Sequence, residues 1–402
     1  MDPITHGIAG ALIGKGFFSE KHGPTAVFAV MLGSVFPDID VTADFFSNDP
    51  LATIRFHRGF THSFLGLPLF AAALAGLLWW WQRRRGKSPP RFWILFAAFA
   101  VGIASHILLD ATTSYGTQIW DPLSSHRYAW DWMFILDFTL TALLLLPQVA
   151  AWIYARGDRA PRRAPIAWII FAAATFGVWS LAKVTGYGFG LHATSLILVL
   201  LAIFFFLPLW HSAGLRMTRA QWCRTGFYAA LAYVLTCATA HGAALTRVRA
   251  FAQQKNFTVL NEAAIPLPPS LLHWDGMIRT ADGVYRARFS LGDPQPLAFS
   301  FLADSPPNPI LSQALALPDV QTYLWFARFP VIRTSTENGK GVAEFLDIRF
   351  AMRRPTVNLP PFTFRVVMDP QGHVLEEEWA MAASRFHIRR NRGIDRLPPA
   401  SR

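Results

Sequence analysis

The sequence predicts an all-α polytopic membrane domain, with about six transmembrane helices and an N-terminal helical hairpin, followed by a small antiparallel β-rich soluble domain. Three observations predict this division. Of the 402 residues, 52% are hydrophobic and only 15% are charged, against about 25% charged residues in soluble globular domains. Long apolar runs fill the first 245 residues, whereas apolar and polar residues alternate from about residue 250 onward. This composition excludes a disordered, fibrous or fully soluble protein.

Two short apolar runs, 7–18 and 24–36, open the chain and are separated by the polar residues 19–23. Each run is shorter than the roughly 17–25 residues that a spanning helix needs. We therefore predict a helical hairpin that enters the bilayer part-way and is covered by protein. The segment is not predicted to be a cleavable signal peptide, because it has no basic N-terminal region and no clear cleavage site.

Six later runs are long and apolar enough to span a membrane. They are residues 64–81, 92–109, 132–154, 166–182, 193–210 and 227–245. Pro68, Pro147 and Pro208 lie inside or near the ends of these runs. Neighbouring helices can accommodate the kinks that such prolines produce.

Lysine and arginine are distributed unevenly among the connecting segments. The loops 82–91, 155–165 and 211–226 carry twelve of them, and the alternate segments 37–63, 110–131 and 183–192 carry four. Because basic loops remain on the cytoplasmic side, the first set is predicted to be cytoplasmic. The second set and everything after residue 245 should then face outward.

The C-terminal region has the period-two pattern of β-strands. The predicted strands are 284–289, 323–329, 345–350 and 362–367, with a turn at 369–372 and a Pro-rich linker at 265–269. We assign residues 1–248 to the membrane domain, 249–390 to an extracytoplasmic β-rich domain that covers or docks, and 391–402 to a basic disordered tail.

Two classes of function are disfavoured by composition. The two cysteines, Cys223 and Cys237, are too few for a disulfide scaffold or a cysteine-based zinc site. The formal net charge of +12 mostly reflects the topology signal, and no basic patch interleaved with aromatic residues is present. No nucleic-acid partner is therefore predicted.

Ionisable side chains are costly at membrane depth and are functional candidates there. Here histidine and aspartate gather, by the predicted topology, at the outer face. In chain order they are His6, Asp38, Asp40, His57, His62, His106, Asp110, Asp121, His126, Asp131 and Asp137. The Lys/Arg distribution alone gives this placement, so the gathering is an independent observation.

Each piece of this set has an ordinary structural explanation as well. His106 and Asp110 are four residues apart and share a helix face, where they could bind one metal ion or serve in a cap or a core hydrogen bond. Residues 37–40 could form a polar turn. Residues 57–63 could form an interfacial loop whose arginine reaches lipid headgroups, and His6 could simply begin a helix.

The combination of these pieces favours a metal centre, because seven candidates from four separate segments are predicted on one side of the membrane. The seven are His6, Asp38, Asp40, His57, His62, His106 and Asp110. Imidazole and carboxylate donors without thiolate suit zinc, manganese or iron. The set offers more ligands than one ion needs, which indicates two or more ions. Such clusters activate water and clamp a phosphoryl oxygen.

Five motifs occur in order within the first 155 residues. They are MDPITHG at 1–7, PDID at 37–40, HRGFTHS at 57–63, HILLD at 106–110 and TSYG at 113–116, continuing to Asp137. Together they resemble the bacterial membrane-bound metal-dependent hydrolase family of YdjM type, over roughly residues 1–155. That family is in turn distantly similar to zinc-dependent phospholipase C and the P1-type nucleases, which are helical and hold three metal ions with His and Asp ligands.

The resemblance implies hydrolysis of a phosphate ester with two or three divalent ions, zinc or alternatively manganese. The implied ligands are His6, Asp38, His57, His62, His106 and Asp110. It makes Asp40 a further ligand or a general base. The phospholipase C relatives also use a His and a Glu after the HxxxD helix. No Glu stands in the corresponding region here, so Asp131 or Asp137 is the candidate substitute.

The sequence thus predicts a metal-dependent hydrolase, a phosphoesterase that acts on a lipid or lipid-linked substrate at the outer face of the bacterial inner membrane. Asp40 and Arg58 are the predicted catalytic residues. Arg58 and Arg127 could bind a phosphate bidentately, or serve topology and headgroup contacts. Membrane lipids are the predicted partners, and the oligomeric state is left open.

Two rival functions remain open: a non-enzymatic metal-binding or transport protein, and an inactive scaffold whose tail binds partners. The transport reading is disfavoured because transporters bind near the midplane and are built from similar halves.

Overall fold

The computed structural model divides the chain into two compact units. It describes residues 1–42, 47, 49, 51–184, 190–210, 216–268, 270–294, 296–351, 361–381 and 384–388. Unit one comprises residues 1–36, 67–106 and 138–234, and unit two comprises 37–66, 107–137 and 235–402. The predicted disordered tail, 391–402, lies outside the described residues.

Eleven α-helices are found in the described residues, and most of them are apolar. They are α1 Pro3–Ile13, α2 Ser19–Val35, α3 Ala52–Phe56, α4 Gly66–Arg84, α5 Phe92–Ala111, α6 Phe138–Ile153, α7 Ala160–Val184, α8 Leu191–Trp210, α9 Arg219–Gln254, α10 Pro309–Leu315 and α11 Pro318–Phe326. Within the described residues, five stretches are long and apolar enough to cross a membrane, or six if the segments Ala52–His62 and Gly66–Arg84, bent by 73°, form one span. One of the five is Pro3–Thr42, which contains the N-terminal hairpin, whereas Phe138–Ile153, inside a predicted span, is too short to be counted.

The span helices leave most of their apolar surface uncovered by protein. Only 17% of the apolar window in Leu191–Trp210 is buried, and 11% of that in Gly157–Ser180. Trp93 is 72% exposed and Trp210 is 84% exposed. Apolar surfaces of this extent on helices are typical of contact with lipid, which agrees with the predicted membrane domain.

The predicted N-terminal hairpin is confirmed within unit one. A π-helical turn, Gly14–Phe18, joins α1 to α2, and Gly23 breaks the helix with φ of +73° just before Pro24. Glycine tolerates this positive φ, and proline suits the first turn of the helix that resumes. The arms run antiparallel, since Gly10 faces Ser34 while Gly14 faces Val27.

Close approach of backbones positions the end of α5 against α2. A Cβ atom at Gly33 would lie 2.7 Å from the carbonyl oxygen of Phe99, and one at Gly102 would lie 2.8 Å from the backbone nitrogen of Ser34. Only glycine permits packing this close. The contact brings the next turn of α5, with His106, beside the Ser34 carbonyl.

Two predicted boundaries in the helical part differ from the structure. The span predicted from residue 132 begins as a helix only at Phe138, because the backbone N–H groups of Trp132 and Met133 donate to the Thr112 carbonyl instead. The basic loop predicted to end at 226 already turns helical at Arg219. Thr218 and Gln221 form reciprocal side chain-to-backbone bonds there, the capping-box arrangement that starts a helix.

Two antiparallel sheets follow α9 in unit two, as the sequence predicts. The strands are β1 Asn261–Leu267, β2 His273–Thr280, β3 Gly283–Ser290, β4 Ser300–Ala303, β5 Pro330–Glu337, β6 Lys340–Asp347, β7 Thr363–Met368, β8 Val374–Met381 and β9 Ser384–Ile388. The first four pair in order, and so do the last five. The predicted strands at 284–289 and 362–367 and the turn at 369–372 are confirmed, the turn by Gly372 at φ +88°.

Three assignments in this region were wrong. The Pro-rich 265–269 was predicted as a linker, but Ile265, Pro266 and Leu267 belong to β1, an edge strand where a missing N–H costs no ladder bond. Residues 323–329 were predicted as a strand, but α11 covers them to Phe326, since Val320, Tyr323 and Phe326 bury one helical face. The strand predicted at 345–350 begins earlier, at Lys340, and ends at Asp347.

The second sheet shares its core with α3. Leu51 and Ile54 are fully buried with Tyr323, Phe345 and Trp379. The unit that contains the strands therefore also contains segments 37–66 and 107–137, which precede the predicted domain boundary at residue 249. These two segments carry most of the His and Asp residues selected from the sequence.

Candidate metal centre

Three segments of unit two bring the candidate ligands together. A 3₁₀ turn, Phe36–Thr42, follows α2 and carries the PDID motif. The HRGFTHS motif lies between α3 and α4 and ends in a short 3₁₀ turn, Phe60–His62. Asp110 lies in the last turn of α5. Because helix ends and tight turns fix the backbone of all three segments, their short side chains can meet at one place.

The first group consists of Asp38, His62 and Asp110, whose donor atoms lie within 4.8 Å of one another. His62 Nε2 is 3.5 Å from Asp38 Oδ1 and 3.3 Å from Asp110 Oδ2. The side chains of His62 and Asp110 are fully buried, and that of Asp38 is 12% exposed. A buried group of two carboxylates and one imidazole is a suitable donor set for a divalent ion.

His106 lies one helical turn before Asp110 on α5, so the two side chains share a face. Within unit one its ring stacks on the His6 ring, with centroids 3.6 Å apart. His106 Nδ1 lies 2.8 Å from the Ser34 carbonyl oxygen. A backbone carbonyl can only accept, so Nδ1 carries the proton and Nε2 is the nitrogen that could bind a metal ion.

The second group consists of Asp38, Asp40 and His57, and their donor atoms also lie within 4.8 Å of one another. Asp38 therefore belongs to both groups. A carboxylate has two oxygens and can bind one ion with each, so this sharing is the arrangement expected of a bridging ligand between two ions.

Asp40 holds the two imidazole rings of the HRGFTHS motif. Its carboxylate lies 2.9 Å from His57 Nδ1 and 3.1 Å from His62 Nδ1. It also accepts from the Arg58 backbone N–H at 3.0 Å and from the Thr61 hydroxyl at 2.8 Å. Histidines that bind metals usually donate their other N–H to such a carboxylate. The contacts suit an orienting carboxylate better than a general base.

Arg58 is buried and bound to Asp110. Its Nε atom is 2.9 Å from Asp110 Oδ2, and a terminal nitrogen donates to the Thr113 hydroxyl at 2.9 Å. Its backbone has φ of +62°, a strained conformation for a residue with a side chain, and such strain is often found at functional sites. The guanidinium that the sequence offered to phosphate is engaged with a candidate ligand.

Arg127 fastens the HRGFTHS loop to the TSYG turn. It donates to the backbone carbonyls of Ile54 at 3.1 Å, His57 at 2.9 Å and Gly116 at 3.3 Å. Burial lowers the pKa of this guanidinium to about 10. Arg127 thus contacts the protein backbone, and its predicted alternative role at lipid headgroups finds no support in these contacts.

The C-terminal region contributes two arginines to the same loops. Arg328 binds the Asp131 carboxylate with two nitrogens, at 2.9 and 2.8 Å. Arg349 donates to the Ser114 carbonyl at 2.7 Å. Asp131, one of the two candidate substitutes for the missing glutamate, is therefore paired with a distant arginine.

The sequence reasoning assigned no role to Thr61 or Thr113, although both stand inside the quoted motifs. Their hydroxyls bind Asp40 and Arg58. Their position, one to three residues from a predicted ligand, was the available signal. Asp137 is buried but, among the described residues, belongs to neither group.

The model of the YdjM inner membrane protein family matches residues 1–187. The inner membrane protein YbcI of Escherichia coli K12 is 32% identical over 138 residues, which cover 33% of this chain and 73% of that protein. The chain belongs to the YdjM family. No solved structure matches it.

The YdjM region contains every candidate ligand, from His6 to Asp137, together with Arg58 and Arg127. The sequence-based resemblance to this family is therefore confirmed, and the chain is an inner membrane protein. Residues 188–402, which include both sheets and the arginines that hold the loops, lie beyond the matched region.

Proposed function

We propose that this YdjM-family protein is a metal-dependent hydrolase of phosphate esters. One observation carries the proposal: Asp38 belongs at once to two groups of side chains that could bind a metal ion, near the ends of apolar helices. Two ions joined by a carboxylate form the arrangement that phosphoesterases use for in-line displacement.

The residues fit divalent ions through the chemistry of their donor atoms. Asp38, His62 and Asp110 would hold one ion, and His106 stays a predicted ligand. Asp38 and His57 would hold a second, while Asp40 keeps both rings oriented. His6 stays a predicted ligand, supported by its stacking on His106. Nitrogen and oxygen donors without thiolate favour zinc, with manganese as the alternative.

Bound divalent ions would lower the pKa of a coordinated water and polarise a phosphoryl oxygen. The protein's own residues then orient the metal-binding side chains and shield the centre from bulk water. Asp40 contacts Nδ1 of both His57 and His62, so Nε2 of each ring is the nitrogen that would face an ion. Arg58 neutralises the charge of Asp110 within a buried pair, through the same Oδ2 atom that faces His62. Burial of His62, Asp110 and Arg58 keeps bulk water away, which strengthens each electrostatic contact.

The proposed substrate is a lipid or lipid-linked phosphoester. One observation supports it: the candidate ligands lie near the ends of apolar helices whose surfaces are largely uncovered by protein. Membrane lipids are accordingly the proposed partners.

We also propose that the centre and the C-terminal region face the periplasm. The support is the distribution of twelve Lys/Arg residues in one set of loops against four in the other. A reporter fused after residue 260, between α9 and β1, should be active only when exported. Activity of a cytoplasm-dependent reporter at that position would contradict the orientation.

Metal analysis of the detergent-purified protein tests the function. We expect about two divalent ions per chain, and release of phosphate or headgroup from a panel of phospholipids and isoprenoid phosphates. A chelator should abolish the release, and added zinc should restore it. A protein free of metal would refute the proposal. A fully metallated protein inactive on every phosphoester would favour the rival metal-binding or transport function.

A further inference from the structure

Tyr115, in the TSYG motif, has a buried hydroxyl group that the proposed chemistry does not yet use. Within the described residues this oxygen has no hydrogen-bond partner. A buried hydroxyl without a partner is destabilising, so such groups are rare unless a ligand supplies the partner. Tyr115 therefore has no acceptor among the described residues, and a bound ligand could supply one.

Five side chains around the Tyr115 ring cannot accept this hydrogen bond. Phe326, Phe350 and Phe362 of the C-terminal region pack around the ring, with centroids 5.1 to 6.5 Å away. The guanidinium carbons of Arg58 and Arg127 lie over the ring at 4.9 and 5.3 Å. Phenylalanine offers no acceptor, and arginine is a donor only.

The ring also borders the candidate metal centre. The His57 ring meets it edge-on at 5.5 Å, and Arg58 is bound to Asp110. Arg127 adds a buried positive charge that donates hydrogen bonds to backbone carbonyls, and within the described residues it has no carboxylate partner. A donor without a partner, in a positively charged and buried position, is suited to an anionic oxygen.

We propose that the Tyr115 hydroxyl donates a hydrogen bond to a phosphoryl oxygen of the substrate bound at the candidate metal centre. This inference rests on the proposed function and adds a substrate-contacting residue to it. The phenylalanines of the C-terminal region hold the ring in place, which gives residues beyond the YdjM match a role in catalysis.

The substitution Tyr115→Phe removes only the oxygen and keeps the ring. In the zinc-loaded, detergent-solubilised full chain, we expect it to weaken the binding of inorganic phosphate by about tenfold to a hundredfold, as for hydrogen bonds to charged groups. Isothermal calorimetry measures this affinity. Zinc content should stay at the wild-type value, because the hydroxyl is not a ligand. In the metal-free protein, the thermal midpoint should stay equal or rise.

Tyr323→Phe is the matched control. Tyr323 is fully buried, but its hydroxyl donates to the Phe362 carbonyl at 2.8 Å, so the substitution removes a hydrogen bond made within the protein. We expect this variant to lower the thermal midpoint of the metal-free protein and to leave phosphate affinity unchanged. The two tyrosines should therefore show opposite patterns.

Four results would overturn the inference. Unchanged phosphate affinity in Tyr115→Phe would remove it while leaving the hydrolase proposal intact, and so would a zinc-loaded wild type that binds no phosphate but still cleaves a phosphoester. A fall in thermal midpoint matching that of Tyr323→Phe would show that the hydroxyl has a partner within the chain. A wild-type protein that takes up no zinc would overturn the proposed function and this inference together.

Discussion

Asp38→Asn should empty the proposed centre, with the largest effect of any single substitution. Asp38 is the residue that both groups share, so removing its charge weakens the binding of both ions at once. Asparagine keeps the shape but offers one weak oxygen in place of a charged carboxylate. We expect bound metal to fall from about two ions per chain to fewer than one, and kcat/KM to fall at least about a thousandfold, or about 4 kcal/mol.

Asp38 is a cleaner choice than Asp110 because Asp110 also pairs with the buried Arg58. Removing the charge of Asp110 would leave an uncompensated buried guanidinium and would mix folding with catalysis. Asp158→Asn is the matched control, since its side chain is 75% exposed, and it should behave like the wild type. Wild-type metal content and activity in Asp38→Asn would refute the bridging role.

Arg349→Met should destabilise the protein more than any surface substitution. The Arg349 guanidinium and the Asp347 carboxylate form a pair with side chains 1% and 0% exposed, 2.7 Å apart. Removing only the cation leaves a buried carboxylate without its partner, which costs on the order of 3–5 kcal/mol. The Ser114 carbonyl also loses its donor, next to Tyr115. We expect a clear fall in thermal midpoint and a parallel loss of metal-dependent activity.

Two further variants test whether the destabilisation comes from the buried unpaired charge or simply from the loss of an arginine. Arg249→Met removes an exposed arginine from a surface pair with Glu262, and we expect a change within about 1 kcal/mol. The double variant Asp347→Asn/Arg349→Met removes both buried charges, so it should be more stable than Arg349→Met alone. Equal stability of the single and double variants would show that the buried charge is not the cause.

The helical hairpin illustrates what local sequence can predict. Its two apolar runs are too short to span, and the break between them contains Gly23 and Pro24, whose conformational preferences are intrinsic to the residues. The membrane-spanning helices are predictable for the same reason, since hydropathy is a property of each run. Boundaries were less accurate where a partner outside the run decides them, as Thr112 does for residues 132–137.

The strand predicted at residues 323–329 illustrates a local pattern that misleads. Aromatic and apolar residues alternate there, yet burial of Val320, Tyr323 and Phe326 follows a spacing of three. The periodicities of helix and strand coincide over so short a segment. Packing against the second sheet decides between them.

The sequence by itself determined the membrane character of the chain, the order of its helices, the presence of a β-rich region and the identity of the candidate ligands. These features depend on composition, on short-range spacing such as that of His106 and Asp110, and on motifs. Only the tertiary structure decided that Asp38 belongs to two groups, that Asp40 holds two imidazole rings, and that Asp131 is paired. The partner of Asp131 lies 197 residues away, and that of the Ser114 carbonyl 235 residues away. Sequence spacing predicts side-chain contacts only over about four residues along a helix. Contacts between residues so far apart in the chain are determined by tertiary packing.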